Sequence, residues 1–89
     1  MNLFQILLNL DDFPNHYTIY AMEPWTLESE AQVVLEPSEG LIQLAYNNEI
    51  FEYFLEITSA KALLLQLGSQ NLCTQVQCQR VIEYAIANS

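Results

Sequence analysis

The chain carries one histidine, His16, with Asp11 and Asp12 as its nearest acidic neighbours in sequence. An imidazole oriented by a carboxylate is the minimum for general-base work, and a serine triad would need this same ring. A lone histidine in a Pro-Asn-His stretch reads as a loop surface residue, and no catalytic residue is assigned. Cys73 and Cys78 lie five apart in a stretch that reads as helix. At ~100° per residue they stand about 140° apart around the axis, poorly placed to bridge each other. No histidine neighbours them, so zinc is unsupported. Asp11 with Asp12, or Glu28 with Glu30, would hold a hard cation only weakly, and no EF-hand loop pattern with its central glycine is present. Two glycines leave little for a phosphate-cradling loop. The reading assigns no metal, no cofactor and no enzymatic activity.

What remains is charge. The 89 residues hold 11 acids against 2 bases, a formal net charge of −9, yet 52 % are hydrophobic. A disordered acidic tail would be poor in apolar residues, so this chain folds, as one domain spanning 1–89. Direct nucleic-acid binding needs Lys and Arg against phosphates, and a polybasic membrane surface needs the same. Neither class fits. No apolar run approaches the ~20 residues of a spanning helix. The first positive side chain is Lys61, so a basic secretory leader is not expected, and a reduced cytoplasmic setting is.

The acids are unevenly placed. Ten of them, and no base, precede Thr58; Lys61, Arg80 and Glu83 follow it. Uncompensated like charge costs self-repulsion, and a cationic partner relieves that cost while opposite potentials speed the encounter. Glu23, Glu28, Glu30, Glu36 and Glu39 fall in or beside expected loops. Trp25 lies among them, a residue type over-represented at interface hot spots, although it suits the rim of a sheet core equally well. Glu49, Glu52 and Glu56 fall on the expected solvent face of a hairpin. These nine residues are the candidate partner-binding set.

The elements that must position them follow from pattern. Asn2 with Gln5 has capping-box spacing before Leu3, Phe4, Ile6, Leu7, Leu8 and Leu10, and Asp11, Asp12 and Pro14 end that helix. Tyr17 to Ala21 and Ala31 to Leu35 are β-branched or aromatic strands, and Pro37 to Gly40 is a turn by composition. Leu41 to Tyr46 and Glu49 to Ile57 read as a hairpin about Asn47-Asn48, with Leu44 opposite Phe51 and Ile42 opposite Tyr53. Strict alternation then gathers Ile42, Leu44, Tyr46, Phe51, Tyr53, Leu55 and Ile57 on one apolar face. Gln43, Ala45, Ile50, Glu52 and Glu56 fall on the other. A single helix from 50 to 67 is the rival reading of this stretch. Thr58 or Ser59 caps a helix ending at Leu67 before Gly68, and Asn71 caps a last helix with a face at Cys78, Val81, Ile82, Ala85 and Ile86. The expected class is α+β: an N-terminal helix, an antiparallel sheet of about four short strands and two C-terminal helices packed on one face.

Glu23-Pro24-Trp25, Glu30-Ala31, Tyr53 to Ile57 with Ala60-Lys61, and Cys78 with Tyr84-Ala85-Ile86 together resemble a family of small bacterial proteins. That family in turn looks like the acidic immunity proteins of contact-dependent and polymorphic toxin systems. The resemblance implies a non-catalytic protein that binds one basic toxin domain, often a nuclease, and occludes it; it carries no catalytic residue over. Three other readings stand beside it. One is a nucleic-acid mimic. Another is a self-associating accessory domain, with a homodimer in place of the foreign partner. The last is a small enzyme or small-molecule binder with a deep pocket.

Overall fold

The computed structural model describes residues 1–35, 43–46 and 48–88. The chain is α+β. Helix α1 (Leu3–Leu8) leads into a 3-10 turn at Leu10–Asp12. Four antiparallel strands follow: β1 (Tyr17–Ala21), β2 (Ala31–Leu35), β3 (Gln43–Tyr46) and β4 (Glu49–Glu56). Helices α2 (Ile57–Leu67) and α3 (Thr74–Ala87) close the chain. The sheet order is β2-β1-β4-β3, with β1 and β4 central. Glu36, Glu39, the Pro37 to Gly40 turn, Leu41, Ile42 and Asn47 lie outside the described residues.

The local signals act where their chemistry places them. Asn2 Oδ1 accepts from the Gln5 amide at 2.8 Å, and Gln5 Oε1 accepts from the Asn2 amide at 3.0 Å, a complete capping box. The hairpin has the expected register, with Leu44 opposite Phe51 and Gln43 opposite Glu52. Asn48 adopts φ 65°, the left-handed conformation that such a turn requires and asparagine tolerates. The 50–67 stretch is strand up to Glu56 and helix from Ile57.

The caps of the C-terminal helices differ from expectation. α2 starts two or three residues earlier than a Thr58 or Ser59 cap would place it, with Glu56 at its N-cap position and no side-chain cap. Thr58 lies inside the first turn of α2, and its Oγ1 donates to the Asn15 carbonyl at 2.8 Å, tying α2 to the segment before β1. Gly68 stays right-handed and the chain tightens into a 3-10 turn. The left-handed residue is Asn71 (φ 56°), which ends that turn instead of capping α3, whose N-cap position is Cys73.

The largest departure is inside β4. β1 pairs Ile19 with Leu55 and Tyr20 with Tyr53, so Phe54 is an extra residue, a β-bulge. One inserted residue reverses the alternation beyond it. The expected single apolar face is therefore split. Phe54, Leu55 and Ile57 join Ile19, Ala21 and Ala31 against the helices. Tyr53 stays on the reverse face with its partner Tyr20, the rings edge to face at 6.0 Å. The main core is completed by Leu3, Ile6 and Leu7 of α1 and by Cys78, Val81, Ile82 and Ala85 of α3.

Both cysteines are free thiols, Cys73 exposed and Cys78 buried. Burial pushes the Cys78 thiol up from its ordinary value, because the thiolate would lose its hydration. As pH rises, the unfolded chain gives up this proton first while the native state keeps it. The stability from this group is therefore full below the ordinary thiol value of ~8.5 and declines at more alkaline pH. A thiol-specific disulfide reagent should label Cys73 fast and Cys78 at the rate of opening, and Cys78→Ala should flatten the alkaline decline in urea midpoint.

Candidate functional site

Antiparallel pairing brings the C-terminal end of β1, the N-terminal end of β2 and the β3–β4 turn to one end of the sheet, since Ala21 pairs with both Ala31 and Glu52. Glu23, Glu28 and Glu30 sit on the β1–β2 connection there, and Glu49 follows the hairpin turn; all four are exposed. Glu52 lies at the margin, half-buried, accepting from Gln43 Nε2 at 2.8 Å across the strands. Glu56 is exposed at the opposite end of β4, so it does not join this group. Tyr53 Oη lies 3.5 Å from Glu56 Oε1, too long for a strong hydrogen bond. Glu36 and Glu39 lie outside the described residues. The candidate set thus reduces to Glu23, Glu28, Glu30 and Glu49, with Glu52 beside them.

Little cationic charge offsets this end. The Met1 ammonium stands 3.6 Å from Glu30, with both groups more than half or about half exposed, a pair of small energetic weight. Lys61 is committed elsewhere, 3.6 Å from Asp11 and donating to Asn15 Oδ1 at 2.7 Å. Arg80 makes no ion pair among the described residues. Nor do any three of the described carboxylates, thiols and imidazoles gather as metal ligands would. The described acids are spread along this end of the sheet with no point of convergence.

The connection that carries them is held in shape. Ser29 Oγ accepts from the Thr26 amide at 2.8 Å and donates to the Pro24 carbonyl at 2.9 Å. Helix α1 braces the loop from below: the Leu3 amide donates to Ser29 O and the Phe4 amide to Leu27 O, at 2.9 and 3.0 Å. A loop already ordered in the free protein loses less entropy on binding.

Trp25 does not stand out among the acids as a surface side chain would. It is 8 % exposed, its Nε1 donates to the Ala21 carbonyl at 3.1 Å, and its ring meets Phe54 edge to face at 5.0 Å. The loop turns this ring inward because its apolar area is worth more in the core than in water, and its N–H finds a partner there. His16 is exposed beside Tyr17, with rings 5.1 Å apart and no carboxylate placed to orient it among the described contacts.

Two concave features lie elsewhere. A shallow groove of about 400 Å³ runs between α1 and α2, lined by Leu7, Leu8, Leu10, Leu64 and Leu65, with Asp11 and Lys61 at one edge. Leu8 and Leu65 stand out of it, 47 % and 82 % exposed. A smaller notch of about 160 Å³ lies where α3 ends against β4, bordered by Trp25, Tyr53, Phe54, Tyr84 and Asn88. Tyr84 and Asn88 were not singled out as site residues by sequence. Tyr84 lies only one position off the apolar face of α3, and no spacing rule links it to Trp25.

No protein-family model, curated protein or solved structure matches the chain.

Proposed function

We propose that the protein is a non-catalytic binding protein that neutralises a basic protein partner, with a nuclease-type toxin domain as the best fit, in the manner of an acidic immunity protein. The observation that supports this reading is the gathering of Glu23, Glu28, Glu30 and Glu49 at one end of the sheet, with the Met1 ammonium as the one cation paired there among the described residues. A nuclease presents Lys and Arg to hold phosphates. An anionic surface of comparable size competes for those side chains and blocks substrate entry with no turnover of its own.

The test is capture from native host lysate with the full chain as bait, at low and high salt, beside the Glu23→Lys, Glu28→Lys, Glu49→Lys triple variant. One basic protein should be retained stoichiometrically, released by salt and lost from the variant, whose association rate should fall about 10-fold or more at low salt. Each of these exposed substitutions should move stability by no more than about 0.5 kcal/mol. Equal capture by both proteins, insensitive to salt, sinks the proposal.

A second reading is self-association through the α1–α2 groove, favoured by the exposure of Leu8 and Leu65. Recovery of nothing but the chain itself would favour it, with the acids then serving solubility.

A further inference from the structure

The notch at the end of α3 has a composition that the acidic surface does not explain. About 160 Å³ is well below the 300–1,000 Å³ of drug-sized ligand sites, and suits one side chain. Three aromatic residues on the helix side of the sheet, Trp25, Phe54 and Tyr84, border it. Trp25 and Phe54 stand 82° apart, so these two walls form a corner and not the parallel slot a flat base would need. Tyr84, 47 % exposed, lies open to solvent at the rim.

Two features of the rim favour positive charge. The notch lies at the last turn of α3, a 14-residue helix whose C-terminal end carries the negative pole of the backbone dipole. No basic residue occupies that last turn to complement it. Asn88 commits its amide nitrogen to the Tyr84 carbonyl at 2.8 Å, which leaves its Oδ1 as an acceptor. Aromatic faces attract a cation held within about 6 Å of the ring centroid, and the methylene stem of such a side chain packs on the same rings.

We propose that this notch binds the ammonium or guanidinium group of a Lys or Arg side chain, with Tyr84 as the principal π surface and Asn88 Oδ1 as acceptor. The proposal rests on the reading of a basic partner. It adds what a field of carboxylates lacks, a defined socket for one cationic side chain beside the loop that carries Glu23 and Glu28.

The test needs no partner. The full chain, isotope-labelled, is titrated with acetyl-arginine amide, acetyl-lysine amide and neutral acetyl-norleucine amide. The indole N–H resonance of Trp25, the sole tryptophan, is the reporter. The cationic probes should shift it saturably and norleucine should not. Tyr84→Leu, at a half-exposed site that tolerates an apolar residue, should weaken binding about 3- to 30-fold. Asn88→Ala should weaken it less. Shifts confined to the amides of Glu23, Glu28 and Glu49, with the indole silent, would overturn the notch proposal while leaving the acidic-surface reading to its own experiment. Equal response to norleucine, or unchanged affinity in Tyr84→Leu, would overturn it as well.

Discussion

Trp25→Ala should cost about 3–5 kcal/mol of stability, the usual loss for truncating a buried tryptophan. A domain of this size has about 5–13 kcal/mol in total, so the substitution removes a quarter of it or more. The large effect follows from 8 % exposure, the edge-to-face contact with Phe54, and the hydrogen bond to Ala21. Urea unfolding followed by far-ultraviolet circular dichroism measures it, because the variant has lost the only indole. A double-mutant cycle with Phe54→Ala should return a coupling of about 0.5–1.5 kcal/mol for the ring pair. Trp25→Phe keeps most of the burial and loses the N–H donor, costing about 1 kcal/mol through that bond. A surface anchor would behave differently, with Trp25→Ala near neutral for folding, within about 0.5 kcal/mol. That outcome would contradict the buried placement.

Deleting Phe54 should be far less damaging than deleting Glu52, although the two are close neighbours in β4. Phe54 is the residue without a partner on β1, so its removal leaves Ile19–Leu55 and Tyr20–Tyr53 as consecutive pairs of a regular ladder. The loss is chiefly that of the side chain, about 3–5 kcal/mol, and should match Phe54→Ala to within about 1 kcal/mol. Glu52 is paired on both sides, with Ala21 and with Gln43. Its deletion forces Glu49 to Phe51 onto the wrong faces relative to β1, and that protein should show no cooperative thermal transition. If the Phe54 deletion abolishes cooperative unfolding while Phe54→Ala does not, the bulge itself holds the sheet, and the deletion cannot be read as a simple loss of packing.

Neither the burial of Trp25 nor the bulge at Phe54 was legible in the sequence, whereas the local signals were. The Asn2–Gln5 capping box, both early strands and the hairpin register depend on contacts within a few residues, or on a turn whose chemistry fixes the pairing. The exposed acids were equally legible as a class, since charged side chains stay in water unless paired. Gly68 and Asn71 misled because a 3-10 turn over Gly68–Gln70 separates the two helices, so the left-handed residue comes at Asn71, after the turn, and the α3 cap position moves to Cys73.

By itself, then, the sequence determined the α+β class, the hairpin and the anionic character, all properties that local propensity and composition settle. The tertiary structure decided the rest. It grouped Glu23, Glu28, Glu30 and Glu49 at one end of the sheet and put Glu56 at the other, because antiparallel order converts distant positions into neighbours. It turned Trp25 into the core, where its large apolar area and single N–H are both satisfied. It also inserted Phe54 as a bulge, because packing β4 against the helices puts two consecutive aromatic and aliphatic side chains on one face, which an unbroken two-residue period cannot do.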